Sequence, residues 1–200
     1  MASGHPGLNP AESRRSGSYR GAPSMARPRS GGILSRVRLQ SADESSVEIS
    51  IACYQFPDRR AQGDRDWDAN WLQVAGTVVL ADGRTWTFED PCLTTRDATD
   101  LGQWLHDVAA GSVRPSPLGS DGPEEMKVFL EPNIAFSLQD RLADRVQLRV
   151  YLSLESLPPW LKGDAQIKIW DYFVVLDVPT AQLAREADDW TEDLRRFPAR

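Results

Sequence analysis

The chain has 200 residues, 40% of them hydrophobic, and a net charge of −6, which suits one domain with its own core plus a tail. No apolar run approaches the roughly 18 residues that a membrane helix needs, so we expect no membrane partner. With only two histidines, we expect neither a histidine-based metal site nor a histidine-dependent catalytic triad.

The first 32 residues are rich in Ser, Gly, Pro and Arg and have almost no large apolar side chains. Such a segment cannot bury enough surface to offset the entropy lost on ordering. We therefore predict a disordered tail over residues 1–32 and a single α+β domain over residues 33–200. An Arg-rich segment is also typical of a transit peptide, although this one has no amphipathic period, and Met25 is an alternative start.

Charge is unevenly distributed between the tail and the body. Residues 1–30 contain five arginines and one glutamate, a net +4, so the remainder carries −10 of the total of −6. A body this acidic repels nucleic acid and favours a basic protein partner. Solubility alone is the other explanation for the charge.

Two strands are predicted ahead of the centre of the chain. Residues 33–40 form a possible first strand, and residues 47–56 alternate cleanly between apolar and polar side chains. The alternation places Cys53 on the buried face of this second strand. Cys53 and Cys92 lie on separate strands, and we predict that both are free, buried thiols.

A charged loop follows over residues 57–70. Asp64, Asp66 and Asp68 resemble the start of a calcium loop, but alanine stands at the sixth and twelfth positions, where glycine and glutamate are required, so no calcium site is predicted. The acidic side chains and an aromatic residue adjoin the central hairpin. We therefore take Asp64, Asp66, Trp67 and Asp68 as the candidate partner-binding residues. Simple solvation of the acids and burial of the tryptophan are the alternatives.

The central hairpin organises the rest of the chain. Residues 71–80 and 84–90 each place their large apolar side chains at period two, which predicts two strands with one apolar face each. A three-residue loop, 81–83, pairs Val78 with Trp86 and keeps every large apolar group on one side. A two-residue loop would put Trp86 on the wrong face.

Two amphipathic helices are predicted, one over residues 97–110 and one over residues 180–195. Their apolar stripes are Leu101, Trp104, Leu105 and Val108 in the first and Leu183, Ala187, Trp190 and Leu194 in the second. We expect Trp86 and Trp190 to be buried beneath the hairpin and the last helix, respectively.

Three further strands are predicted over residues 133–139, 145–155 and 166–178. The Glu-Pro-Asn run at 131–133 indicates an edge or a bulge, because proline cannot donate to a ladder. We expect strand 145–155 to have one face in the core and one face that is exposed to solvent or covered by a partner. Strand 166–178 has mixed faces that suggest a bulge or burial on both sides.

Short connections between consecutive strands predict an antiparallel β-sheet of about six to seven strands with two packed helices, an α+β fold.

The sequence contains no motif for a nucleophile, a phosphate loop or a Cys/His metal cluster. We therefore predict no enzyme, with no catalytic residue, no cofactor and no metal. A carboxylate-based enzyme remains an alternative, since Glu89, Asp90 and Glu131 lie at strand ends, although solvation and turn hydrogen bonds explain them more simply. A structural or regulatory interaction module is the other alternative.

Five segments resemble the WapI-type bacterial immunity protein family. They are residues 67–72, 91–93, 101–105, 129–136 and 197–198. The resemblance spans roughly residues 36–198, and its most distinctive part is the Glu-Pro-Asn run. It implies a cytoplasmic, non-catalytic antidote that binds the toxic C-terminal domain of a contact-dependent bacterial toxin. A basic nuclease toxin would suit the acidic body, with no nucleic acid or membrane as partner.

Overall fold

A computed structural model describes residues 35–60, 66–119, 122–123 and 125–200. The predicted disordered tail and Asp64 lie outside these residues. The strands are β1 (Ser35–Gln40), β2 (Ser46–Tyr54), β3 (Trp71–Val79), β4 (Thr85–Thr94), β5 (Leu118–Gly119), β6 (Gly122–Pro123), β7 (Ile134–Arg141), β8 (Arg145–Leu152) and β9 (Phe173–Pro179), and the helices are α1 (Thr95–Ala109) and α2 (Thr180–Asp193).

The α+β class with seven main antiparallel strands is confirmed, but the strands divide between two sheets. One sheet has the order β1-β2-β3-β4 and the other has the order β7-β8-β9, while β5 and β6 form a short ladder of their own. Buried side chains from both sheets and both helices form one hydrophobic core. No helix in the described ranges is long and apolar enough to cross a membrane.

The hairpin between β3 and β4 has the predicted three-residue loop. Val78 pairs with Trp86, and the Leu80 amide donates to the Arg84 carbonyl at 2.9 Å. The Gly83 amide then donates to the Leu80 carbonyl at 2.9 Å, with Gly83 at a φ of +84°. Glycine adopts this left-handed conformation without steric penalty, so the turn fixes the register of the two central strands.

A bulge in β2 overturns the prediction that Cys53 is buried. Ile51 pairs with Val74, whereas Cys53 pairs with Gln73, so one extra residue is inserted on β2. Because side chains alternate at period two, one inserted residue exchanges the two faces of the strand beyond it. Tyr54 therefore enters the core and Cys53, a free thiol as predicted, is exposed.

The strand predicted over residues 166–178 is wrong in its first half. Residues 158–172 form turns, and regular pairing begins only at Phe173. The Asp164 carboxylate accepts a hydrogen bond from the Gln166 amide at 2.9 Å, and the Asp164 backbone carbonyl accepts one from the Ile167 amide at 3.1 Å. These local hydrogen bonds use amides that a strand would have offered to a ladder.

The two helices pack on each other, and α2 also packs on β1. Thr94 begins α1 with a capping box, in which its hydroxyl accepts the Asp97 amide and the Asp97 side chain accepts the Thr94 amide. Trp190 of α2 is fully buried, as predicted, and its Nε1 donates to the Ala98 carbonyl of α1 at 2.8 Å. This hydrogen bond joins the two helices through the core.

Trp86 is also buried as predicted, at the junction of the two sheets. Its Nε1 donates to the Ser156 carbonyl at 3.0 Å, and its ring makes edge-on contacts with Trp160 and Tyr172. Ser156 follows β8, so this side chain ties the hairpin to the second sheet. Such a buried tryptophan supplies both a large apolar area and one satisfied donor.

Candidate functional site

The segment that contains the predicted binding residues is anchored to the C-terminal end of the described chain. Its 3₁₀ helix, Trp67–Asn70, ends in an asparagine whose amide nitrogen donates to the Arg200 carbonyl at 3.1 Å and whose oxygen accepts the Arg200 amide at 2.8 Å. The Arg200 guanidinium lies 3.4 Å from the Tyr54 ring centre and donates to three carbonyls of the loop after β2. These contacts hold the loop against the sheet.

Within this loop, Asp66 and Asp68 both form ion pairs with Arg59, each at 3.1 Å. The Asp66 side chain is only 8% exposed, so its ion pair holds Arg59 against the buried side of the loop. The Asp68 side chain lies at the surface. Trp67 is 53% exposed, which rules out core burial for this tryptophan. The structure therefore brings three of the four predicted residues together.

A cleft of about 390 Å³ opens beside Trp67. Asp66, Asn70, Arg96 and Arg200 are among the residues that line it. Together with Arg59, these side chains make the surface mixed in charge instead of purely acidic. An exposed tryptophan amid satisfied polar groups is typical of a protein-binding surface, where aromatic residues dominate the binding energy.

A second polar cluster surrounds Asn133, in the turn that precedes β7. Asn133 is 1% exposed, and its amide nitrogen donates to Asp90 Oδ2 at 3.2 Å and to Glu155 Oε2 at 3.0 Å. Glu131 lies in the same turn. The Glu-Pro-Asn run is therefore a turn and not a bulge within a strand. Glu89 lies on the opposite face of β4 and is exposed.

Among the residues that the structure describes, the carboxylates around Asn133 have no compensating cation. None of the ion pairs among the described residues includes Asp90, Glu131 or Glu155. Burial, followed by the charges of Glu155 and Glu131, raises the pKa of Asp90, and the hydrogen bond from Asn133 opposes this shift only in part. This cluster therefore concentrates negative charge that an external cation would stabilise.

Buried hydrogen bonds beneath the cluster hold Leu154 in an unusual backbone conformation. The Ser153 amide donates to the Asn133 carbonyl at 2.8 Å, and the Ser156 hydroxyl donates to the carbonyls of both Asn133 and Ser153. Leu154, between these serines, has a φ of +54° and is exposed. A left-handed leucine costs about 1–2 kcal/mol and persists only where its surroundings impose it.

We define the Asn133 surface as Asp90, Leu130, Glu131, Leu154 and Glu155. Its two leucines are exposed. From sequence alone, Asp90 and Glu131 stand out only as catalytic candidates, and Glu155 does not stand out. The one sequence signal was the distinctive Glu-Pro-Asn run, since Glu155 joins the cluster only through the fold.

The described residues contain no group of three or more His, Cys, Asp or Glu side chains arranged to hold a metal. Cys92 is free and buried, as predicted. Burial and, secondarily, the charge of Asp90 raise the pKa of its thiol well above the usual range, which keeps it protonated and unreactive. His106 lies at the surface near Asp188, 3.7 Å away, and Thr191, 3.4 Å away.

A comparison with curated proteins gives no match. A comparison with known families matches residues 38–198, which is most of the chain, to the immunity protein WapI-like family. The matched range includes β2 to α2, the exposed Trp67 and the whole Asn133 surface. It also agrees with the range and the family that the sequence segments indicated. The chain therefore belongs to the immunity protein WapI-like family.

Proposed function

We propose that this protein is an antitoxin that neutralises the toxic C-terminal domain of a contact-dependent bacterial toxin. It binds that domain in the cytoplasm, one molecule to one, and performs no turnover. Membership in the WapI-like immunity family is the observation that carries the proposal. The alternative, a structural or regulatory module, has no comparable support from an individual feature of the chain.

The Asn133 surface supplies a fitting contact for a basic toxin domain. Its carboxylates lack a cation among the described residues, and the exposed Leu130 and Leu154 add apolar contact area. Burial, followed by the charges of Glu155 and Glu131, raises the pKa of Asp90, and lysine or arginine side chains from a partner would offset both effects. A basic nuclease domain has the required charge.

The loop with Asp66, Trp67 and Asp68 supplies a second contact. β4 connects the two regions, because Asp90 belongs to the Asn133 surface and Thr94 lines the cleft beside Trp67. Asp90 and Thr94 are four positions apart on this strand, which is about 13 Å at about 3.3 Å per residue. A protein interface of standard size, about 800 Å² on each partner, is large enough to include both regions.

The first experiment is co-expression with the toxin domain encoded beside this protein. We expect restored growth and a co-purifying one-to-one complex. Failure to restore growth or to co-purify, across the neighbouring toxin candidates, would overturn the proposal.

The second experiment separates the two surfaces by substitution. The pair Glu131→Gln and Glu155→Gln should weaken binding about tenfold or more, as should Trp67→Ala. A matched control, Asp188→Asn with Asp189→Asn, removes the same charge from exposed positions on α2 and should change the Kd less than about threefold. Equal effects of the control and the test pair would show that overall charge, and not this surface, governs binding.

A further inference from the structure

The outer face of the second sheet contains a buried arginine. Strand alternation in β8 directs Val146, Leu148 and Val150 into the core and Arg149 to the opposite face. There the side chain is covered by the segment before β5 and by Phe173 of β9, which leaves Arg149 only 3% exposed. Arginine is almost never buried this deeply without a paired anion.

The hydrogen bonds of Arg149 leave part of its guanidinium unsatisfied. Nη1 donates to the Ser116 carbonyl at 2.9 Å and to the Ser137 hydroxyl at 3.3 Å. Nε is buried without an acceptor, and Nη2 has no hydrogen bond in the described part of the chain. No described carboxylate forms an ion pair with Arg149.

A positive charge held in this way is energetically unfavourable, because a buried ion loses its hydration. The Phe173 ring, whose centre lies 5.9 Å from Arg149 Cζ, compensates only in part. If Arg149 served merely to hold the Ser116 carbonyl, a neutral donor would do so with a smaller desolvation penalty. An anion held against the guanidinium would offset this cost.

A cleft of about 520 Å³ lies beside Arg149, which is one of its lining residues. Pro115, Leu118 and Phe173 form apolar walls, and Asp140 lies at the same cleft, where its Oδ1 accepts the amide of the next residue at 2.8 Å. Among the described residues that line the cleft, Arg149 is the one cation and Asp140 the one carboxylate, which suits a single negative charge better than a dianion such as phosphate. The apolar walls suit a hydrocarbon or aromatic stem.

We propose that the Arg149 cleft binds a carboxylate on an apolar or aromatic stem. Resting on the proposed function, we further assign this ligand to the toxin domain, as an acidic side chain that enters the cleft when the complex forms. The two parts are separable, because the first concerns the isolated protein alone.

The first test uses the isolated protein and sodium benzoate, with sodium chloride at equal ionic strength as reference. We expect saturable NMR shifts at the Ser116 amide and the Arg149 Nε–H, and loss of the benzoate-induced shift at the Ser116 amide in Arg149→Met. Asp140→Asn, which removes a like charge, should tighten benzoate binding about threefold or more. Asp144→Asn makes the same change at an exposed turn and should alter binding less than about twofold.

Leu118→Asp provides a second variant in case Arg149→Met does not fold. Leu118 is 52% exposed, so the substitution spares the core and places a negative charge on the cleft wall. It should weaken benzoate binding about threefold or more. The absence of saturable shifts in the unaltered protein, unchanged shifts in Arg149→Met, or tighter binding of phosphate than of benzoate would overturn the carboxylate site.

The second test uses the one-to-one complex with the toxin domain. Complex formation should abolish benzoate binding at Arg149, and Leu118→Asp should weaken the complex about tenfold or more. Normal benzoate binding within an intact complex would overturn the toxin as the source while leaving both the cleft and the antitoxin role intact. If no complex forms, the antitoxin proposal fails and the result on the isolated protein still decides the site.

Discussion

Single tryptophans connect parts of the fold that lie far apart in sequence. Trp190 and Ala98 are joined by a hydrogen bond between α2 and α1, and Trp86 and Ser156 by one between the hairpin and the second sheet. In each case the indole also fills the core. Loss of either side chain removes packing and leaves a buried carbonyl without its donor.

Replacement of Trp190 by alanine should reduce the free energy of unfolding by about 3–5 kcal/mol, because a fully buried aromatic leaves a cavity. Urea denaturation followed by far-UV circular dichroism measures this loss. Trp67→Ala, at an exposed tryptophan, is the matched control and should change stability by less than about 0.5 kcal/mol. A loss below about 1 kcal/mol at Trp190 would contradict the helix packing described above.

The raised pKa of Asp90 predicts a pH-dependent effect on stability. A carboxyl whose pKa is higher in the folded chain than in the unfolded chain stabilises the fold while it is protonated. That contribution is complete below the usual value of 3.8 and is lost as the pH rises through the folded-state pKa. At neutral pH, ionised Asp90 is therefore a local source of instability, which a basic partner would relieve.

Asp90→Asn imitates the protonated carboxyl and keeps an oxygen that can accept from Asn133. Relative to the unaltered protein, it should be about equally stable near pH 3.5 and more stable near pH 7, as measured by urea denaturation. Glu89→Gln removes a charge from the exposed opposite face and should produce a smaller difference between the two pH values. If Asp90→Asn were less stable than the unaltered protein, and more so at pH 7 than at pH 3.5, the prediction would be wrong.

At the scale of elements, the central strands depend on one close approach. Gly76 of β3 lies directly opposite Phe88 of β4, and a Cβ at Gly76 would come within 2.1 Å of the Phe88 ring. The ring covers the glycine and reaches the core beside it. The strand pair therefore requires a residue without a side chain at this position.

Gly76→Ala should lower stability by about 1–3 kcal/mol, because the buried Phe88 ring must leave its place. Thermal unfolding of the variant measures the loss. Thr77→Ala, one residue further along and exposed, serves as control and should fall within about 0.5 kcal/mol of the unaltered protein. A neutral Gly76→Ala would mean that the ring is not held against the strand.

The alternation of apolar and polar side chains predicted an element correctly where that alternation continues unbroken along the strand. The register of the hairpin followed from the alternation around Trp86 and from the turn at Gly83. The exposure of Cys53 did not follow, because a one-residue bulge leaves the apolar pattern of β2 intact while exchanging its faces. The turns before Phe173 depended on hydrogen bonds to Asp164, which compete with strand pairing without changing composition.

The proposed binding surfaces were only partly predictable from sequence, because their contacts join residues far apart in the chain. Asp66, Trp67 and Asp68 are adjacent in sequence, so their common loop was evident, but their shared partner Arg59 was not. Asn133 bonds to Asp90, 43 residues away, and to Glu155, 22 residues away. The periodicity of a sequence does not predict contacts between residues so far apart. These contacts form only when the two sheets pack together.

At the scale of the whole molecule, the net charge of −10 outside residues 1–30 should govern how fast a basic toxin domain is found. The association rate should fall steeply as salt rises from about 0.1 M to 1 M, since the Debye length shortens from about 10 Å to 3 Å. Stopped-flow mixing measures this rate, and the dissociation rate should change much less. An association rate that is indifferent to salt would show that the charge does not steer binding.

The proposed neutralisation of the toxin is stoichiometric. The most direct measurement is a titration of a fixed amount of purified toxin domain with this protein, reading residual toxin activity after the mixture has equilibrated. Binding without turnover predicts a linear fall that reaches zero at one equivalent, independent of incubation time, with active toxin recovered after the complex is denatured and separated. Progressive, irreversible loss of activity at well below one equivalent would contradict the account, because it would require each molecule to inactivate many toxin molecules.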